Sequence, residues 1–283
     1  MSNFALPSAA QTGFSNAPSY DAYRQSYPPA SINTLLAHLG IYGQKGARVV
    51  DLGCGTGKFT GPLSLRPEEY EIIAVEPHEG MRRTLEEKVL KGVRVMEGYA
   101  EGMVVEEGWA DACVAAQAFH WFATDEALKE IHRVLRPGAV FGMIWNIEDF
   151  NGAKAWETTS KWEQELKDII LETNDGLPRF RDMKWKEAFE SQQQKTLLTL
   201  YTTYPKFSLP LGEETIKWTV WLGDDAIWAR FLTFSQIANQ EDEEKEKIKQ
   251  RVMKSLKDES TERNEKGEIA VHGVTYLAWT SRV

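Results

Sequence analysis

The chain reads as an α/β protein built on a mostly parallel sheet with helices on both faces. Two observations predict this. Between residues 48 and 146, short and nearly continuous apolar segments alternate with segments of helical periodicity, which is how strands buried on both faces appear in sequence. The first of these strands runs directly into Gly53, Gly55 and Gly57 before a helical pattern resumes. In open α/β sheets, ligands sit beyond the carboxyl ends of the strands, where the order of strands reverses. The crossovers are expected to be right-handed.

Taken in order, residues 1–19 are rich in Ser, Ala, Asn and Pro without periodicity and read as a mobile tail. Tyr20, Tyr23 and Tyr27 are spaced to share one helical face, and Pro28-Pro29 follow as an element boundary. Ile32, Leu35, Leu36 and Leu39 form a helical stripe ending before Gly40. Arg48–Leu52 is the first strand, and a helix through Phe59 and Leu63 follows the glycines. Residues 71–76 form a second strand, Met81, Leu85 and Val89 mark a helix, and Val93–Met96 is a third strand. Residues 111–116 are a fourth strand. Leu128, Ile131, Val134 and Leu135 mark a helix stopped by Arg136-Pro137-Gly138, and Ala139–Trp145 is a fifth strand.

After Asn146 the pattern changes. Trp156, Thr159, Trp162, Leu166 and Ile169 predict one long amphipathic helix, and residues 174–194 are irregular and polar, with Trp185 and Phe189 at helical spacing. Thr196 to Tyr204 is β-like. Residues 213–238 are read as helical and aromatic, carrying Trp218, Trp221, Trp228, Phe231 and Phe234. Residues 241–257 predict a charged helix with a stripe at Ile248, Val252 and Leu256; its alternating charges need no partner beyond i,i+4 pairs. Ile269 to Thr280 is a final strand.

Bulk properties narrow the function. The net charge is −9, whereas nucleic-acid binders rely on a cationic surface that releases counterions. Two cysteines, Cys54 and Cys113, make neither a disulfide framework nor a zinc constellation, so no metal is expected. No apolar run is long enough to span a membrane. The N-terminus lacks a basic stretch followed by an apolar run, so a cytoplasmic location is expected. Ten tryptophans fit either plain packing or an aromatic pocket under a lid.

The glycine turn carries the most information. A phosphate-binding loop ends in Gly-Lys-Ser/Thr, but Gly57-Lys58 is followed by Phe59. A dinucleotide fingerprint requires G-x-G-x-x-G, but position 58 is lysine. The third pattern, Asp-x-Gly-x-Gly-x-Gly, is met by Asp51 through Gly57. An acidic Asp51 suits a ligand carrying an ammonium and a sulfonium. This segment resembles motif I of the class I S-adenosylmethionine (SAM)-dependent methyltransferases, and residues 20–146 are similar to the small-molecule type 11 or UbiE-like group, which includes proteins like trans-aconitate methyltransferase.

The resemblance implies a Rossmann-like, seven-stranded, mostly parallel sheet with helices on both faces, an antiparallel last strand and helical lid insertions. It divides the chain into a tail (1–19), an N-terminal helical cap (20–46), a SAM-binding core (47–146) and residues 147–283, which hold the remaining strands and an acceptor lid over about 147–195 and 210–260. Asp51, Gly53, Gly55 and Gly57 are implied to hold SAM, Glu76 to grip the ribose hydroxyls and Met81 to pack near the adenine. Where the group commonly shows Gly-Asp-Ala-Glu, this chain has Gly98-Tyr99-Ala100-Glu101. Adenine recognition then falls to backbone near Ala100, to Glu101 or to stacking on Tyr99. Gln117 is implied to face the methyl donor, and His120 and Trp121 to border the acceptor cavity.

The expected reaction moves a methyl group from SAM to a small molecule by in-line displacement, leaving S-adenosyl-L-homocysteine. The acceptor is expected to be apolar or aromatic. His120 is the candidate catalytic residue, as general base or as an orienting, pocket-lining group; a carboxylate or thiolate acceptor needs no base. His38, His78, His132 and His272 are assigned to element surfaces. Tyr20, Tyr23, Tyr27, Trp121 and Trp145 are the cap and substrate candidates, with core packing the alternative for the tyrosines; Trp218, Trp221 and Trp228 either line the acceptor pocket or form the lid core. The alternatives are a SAM-fold enzyme doing other chemistry, such as cyclisation, and a protein or nucleic-acid methyltransferase.

Overall fold

In a computed structural model, which describes residues 24–190 and 205–283, seven strands form one sheet in the order β3-β2-β1-β4-β5-β7-β6. The strands are β1 (Arg48–Leu52), β2 (Glu71–Val75), β3 (Val93–Met96), β4 (Ala110–Ala116), β5 (Leu135–Glu148), β6 (Gly212–Leu222) and β7 (Ile269–Ser281). The first five pair in parallel, and β7 runs antiparallel between β5 and β6. The chain order reverses beside β1, so β1 and β4 part at their carboxyl ends and open a crevice there.

Alternation along the strands produces the two faces. Val50, Leu52, Ile73 and Val75 point to the face covered by Leu128, Ile131 and Val134 of α4 (Asp125–Val134). Val49, Ile72, Ala112 and Val114 point to the other, covered by Leu35 and Leu36 of α1 (Pro29–His38) and by Leu63 of α2 (Thr60–Ser64). Met81 and Leu85 are the buried positions of α3 (Glu79–Glu86), and Ala188 and Phe189 those of the one-turn α6 (Glu187–Glu190). The helices on both faces and the antiparallel final strand match the expected Rossmann-like arrangement.

A third apolar cluster lies beyond the carboxyl ends of the parallel strands. It joins Trp162, Leu166 and Ile169 of α5 (Lys161–Glu172) to Ile227 and Phe231 of α7 (Asp224–Phe231), Ile237 of α8 (Ser235–Ala238), and Ile248 and Val252 of α9 (Asp242–Ser255). Ile269 and Val271, at the start of β7, anchor this cluster to the sheet. The α9 stripe at Ile248, Val252 and Leu256 is buried as its spacing predicts.

Several elements differ from the sequence reading. The stretch taken as helical over 213–238 begins as β6, an edge strand, and only then becomes α7 and α8. Trp218 and Trp221 therefore sit on a strand: the Trp218 ring lies over Gly273 of β7, where a Cβ would come within 2.4 Å of it, and Trp221 is 39% exposed. The alternation of Ile216, Trp218, Val220 and Leu222 is the period-2 signal, masked by tryptophans whose spacing also fits a helix. Trp156 and Thr159 precede α5, which starts after Ser160, whose hydroxyl accepts the Glu163 N–H and caps the helix. Leu135 opens β5 instead of closing α4, and the Arg-Pro-Gly run makes an irregularity in the pairing with β4. Val89 lies past α3, has φ 46° and is exposed. Tyr27 lies in a non-helical run before α1. Tyr20, Tyr23 and the β-like stretch 196–204 fall outside the described residues.

One buried ion pair fixes α7 to the sheet. Arg230 of α7 donates from Nε to Glu148 Oε1 at the end of β5 at 2.5 Å, and Glu148 is fully buried. Removing one partner of such a pair leaves the other charge stranded in low dielectric. Glu148→Ala should therefore lower unfolding stability by about 3–5 kcal/mol, read from urea denaturation at neutral pH. A loss below 1 kcal/mol would mean that the pair does not secure α7.

Candidate functional site

The turn after β1 is shaped by backbone that only glycine adopts easily. Gly53 has φ +69° and a Cβ there would meet Ala118 Cβ at 2.8 Å; Gly57 has φ +84° and a Cβ there would meet Leu85 Cδ1 at 2.4 Å. The Gly53 N–H donates to Val75 O at 2.8 Å, which ties the turn to the end of β2. The chain then has a conformation in which a ligand can approach backbone directly.

Two carboxylates lie beneath and beside this turn. Glu76, just past β2, accepts the Gly55 N–H at 3.0 Å through Oε2 and the His78 N–H at 2.8 Å through Oε1. It is 6% exposed and lines the cavity over the turn. Burial raises its pKa, and the two N–H bonds oppose that rise. A carboxylate has about four acceptor directions, so each oxygen retains capacity for a further donor. Asp51 is fully buried; it accepts the Thr60 hydroxyl at 2.6 Å through Oδ2, while Oδ1 has no hydrogen-bond partner among the described residues. Burial lifts the Asp51 pKa to about 7; the Thr60 bond opposes this and the Glu76 charge adds to it.

The cavity above the turn encloses about 1180 Å³ between atoms, counting space open at its mouth. Gly53, Gly55, Glu76, Met81, Gln117, Trp121 and Tyr27 all contribute to its wall, so the structure brings these expected residues together. Asp51, Gly57, Ala100 and Glu101 do not reach the wall; Tyr99 does, which of the three adenine alternatives places only Tyr99 at the cavity. His78, assigned to a helix surface by sequence, also lines the cavity, and its Nδ1 accepts the Met81 N–H at 3.3 Å to cap α3. Gln117 has φ 60° and exchanges two bonds with the Asn146 backbone, Nε2 to O at 3.0 Å and N–H to Oε1 at 3.1 Å. A non-glycine residue held in this region marks a site where the surroundings over-determine the backbone.

The run before α1 closes one side. Arg24, Gln25 and Tyr27 line the cavity. Asn146 Nδ2 holds this run by donating to Ser26 O at 3.2 Å, and the Tyr27 ring meets Phe59 edge-on at 5.6 Å.

A second chamber, about 570 Å³ counting space open to solvent, adjoins the first and shares Arg24, Gln117 and Trp121 with it. Its wall includes His120 and Trp145, two expected residues that do not touch the first cavity, and Arg179 and Arg181, which sequence reading missed. The Trp145 indole N–H donates to His120 Nδ1 at 3.2 Å. An indole nitrogen only donates, so the His120 proton sits on Nε2. Burial, then the charges of Arg179, Arg181 and Arg24, push the His120 pKa down to about 3. The imidazole is neutral at physiological pH and resists taking up a second proton.

Comparisons with known proteins point to methyltransferases. A family described as "Methyltransferase domain", type 11, matches residues 50–143. An uncharacterized methyltransferase of Schizosaccharomyces pombe is 30% identical over 191 residues, 67% of this chain and 71% of its own length. A methyltransferase-like protein of the same yeast is 34% identical over 170 residues, 60% of this chain and 62% of its own. The chain spans 62 to 64% of the length of the first curated relatives it matches. Among solved structures, a putative type II methyltransferase from Anaeromyxobacter dehalogenans aligns with TM-score 0.56 at 22% identity, covering 92% of this chain and 97% of its own.

The raised Asp51 pKa has a sign that can be tested. The folded state binds a proton at Asp51 up to about pH 7, whereas an unfolded aspartate releases it near pH 4. Folding stability from this group is thus fully present below the unfolded pKa and is lost as pH rises through about 7. At ~1.4 kcal/mol per unit of pKa separation, the loss amounts to a few kcal/mol. Urea melts at pH 5 and pH 8 should show a smaller decline for Asp51→Asn than for the parent chain; parallel declines would remove Asp51 as the cause.

Proposed function

The chain belongs to the class I SAM-dependent methyltransferases of the type 11 group, and we propose that it transfers a methyl group from S-adenosylmethionine to a small-molecule acceptor by in-line displacement. The observation that carries this reading is Glu76: a buried carboxylate, already aligned by two backbone N–H bonds, at the edge of a cavity floored by the glycine turn. A carboxylate accepting both hydroxyls of a ribose is a charge-assisted, bidentate arrangement.

The residues fit the donor. Gly53 and Gly55 offer backbone without a Cβ in the way, and Asp51 and Glu76 supply negative charge near a ligand that is positively charged at sulfur and at its ammonium. Binding a cation there favours the ionised form of both carboxyls. When bound, SAM supplies a methyl group on a positively charged sulfur that leaves as a neutral thioether.

The protein's own work is orientation and exclusion of water. Tyr27 and Gln25 cover the cavity from one side and Trp121 and Phe122 from the other. Gln117, fixed by the Asn146 backbone, stands where the two cavities meet and sets the wall past which the methyl group must move. His120, with its proton on Nε2 and its Nδ1 occupied by Trp145, acts as a hydrogen-bond donor that orients the acceptor and not as a general base. Trp121 and Trp145 form apolar walls of the acceptor chamber. The net charge of −9 points away from a nucleic-acid acceptor.

Titration calorimetry with SAM tests the site. Glu76→Ala should weaken binding by about 10-fold or more, since a hydrogen bond to a charged group contributes roughly 1.5–3 kcal/mol. Asp51→Ala should weaken it as well, with circular dichroism confirming that both variants fold. Unchanged affinity in both would reject this cavity as the SAM site.

A further inference from the structure

Gln25, in the run before α1, lines the first cavity but not the second chamber. Its Oε1 is buried and has no hydrogen-bond partner among the described residues. The other amide and carboxylate oxygens of this wall are engaged. Glu76 accepts two backbone N–H groups, Gln117 Oε1 accepts the Asn146 N–H at 3.1 Å, and Asn146 Oδ1 accepts the Thr275 hydroxyl at 2.7 Å. Burying an acceptor without a donor costs free energy, so a native chain that does so calls for a reason.

The place of Gln25 is set by the sheet. The backbone carbonyls of Gln25 and Ser26 lie 3.4 and 3.2 Å from Asn146 Nδ2. A carbonyl only accepts, so the Asn146 nitrogen faces this run and its oxygen faces the fully buried Thr275 hydroxyl of β7. The Gln25 backbone is thereby held at the β5 end of the crevice. Glu76 stands at the β2 end, with β1 and β4 between them. Three strand spacings separate the two anchors, roughly 14 Å. Met81 and Tyr99 belong to the Glu76 side, being on α3 and just past β3. A ligand whose ribose is held by Glu76 and whose base lies toward Met81 and Tyr99 therefore points its other end toward Gln25.

We propose that Gln25 is a donor-binding residue, its Oε1 accepting an N–H of the ammonium at the amino-acid end of SAM. The inference rests on the reading of the first cavity as the SAM site. An ammonium carries three N–H donors and no acceptor, whereas the sulfonium has no hydrogen to donate. Asp51 is fully buried and does not reach the cavity wall, so its charge acts on the ammonium from a distance and leaves the direct contact to another group. An amide oxygen already out of water meets that need, and a hydrogen bond to a charged partner is stronger than one between neutral groups. The run that covers the cavity thereby also reads the charged end of its contents.

Titration calorimetry on the full chain tests this with three probes. S-adenosylhomocysteine has the whole amino-acid end, S-adenosyl-3-thiopropylamine keeps the ammonium without the carboxylate, and 5′-methylthioadenosine lacks both. Gln25→Met should weaken the first two by about 10-fold and leave methylthioadenosine within about 2-fold of the parent. Gln25→Glu, which offers only acceptors, should bind the first two at least as tightly as the parent chain. Equal loss for all three probes in Gln25→Met would mean that the residue only holds the run in place, and a loss confined to S-adenosylhomocysteine would mean a contact to the carboxylate. Either result overturns the proposal. So does unchanged affinity in Gln25→Met, or a loss in Gln25→Glu as large as in Gln25→Met. Failure of the parent chain to bind S-adenosylhomocysteine overturns the earlier reading instead.

Discussion

Two carboxyl groups, Asp51 and Glu76, are buried side by side at the ends of β1 and β2, and the site is organised around them. Negative charge in a low-dielectric setting must be hydrogen-bonded, protonated or matched by a cation. Glu76 is stabilised by backbone N–H groups of the glycine turn and of the start of α3, which obliges both segments to point their amides inward. Among the described residues Asp51 has only the Thr60 hydroxyl and is left half satisfied. The turn has three left-handed glycines, the helix after it is short, and His78 caps α3.

The second organising element is the helical layer of α5, α7, α8 and α9. It does not lie over the sheet faces but over the strand ends, because Ile269 and Val271 extend β7 beyond the level at which the parallel strands stop. The long antiparallel strand is thus both part of the sheet and the post to which these helices attach. Arg230 and Glu148 make the connection on the β5 side. The second chamber gathers cationic and apolar side chains, whereas the first cavity, which it adjoins, is lined by Glu76.

What could be read from the sequence follows from how local the cause was. The strands β1 to β4, the glycine turn and the place of Glu76 depend on short segments whose apolar runs and glycine spacing are visible in sequence. So does α9, whose Ile248, Val252 and Leu256 stripe is buried as spaced. The β6 strand was misread because aromatic side chains at Trp218, Trp221 and Trp228 fit a helical spacing as well as an alternating one, and only tertiary pairing with β7 decides between them. The arginines of the second chamber were out of reach for a different reason, although His120, Trp121 and Trp145 of its wall were expected. Arg24 and Arg181 are far apart in the chain and belong to no motif, and Arg179-Phe180-Arg181 lies in a stretch without periodicity. The one available signal was chemical: two arginines flanking a phenylalanine in an otherwise irregular segment. The departure at Tyr99 was visible in sequence, but which neighbour takes over at the cavity wall needed the geometry.

The run of residues 24–28 is held to the sheet by Asn146 and forms one wall of the first cavity. A molecule filling that cavity touches the sheet on one side and this run on the other. Thermodynamic linkage then makes the two attachments reciprocal: whatever factor the docked run adds to ligand retention, the ligand adds to the docking of the run. The same strap is thereby a latch whose grip is set by the contents of the cavity.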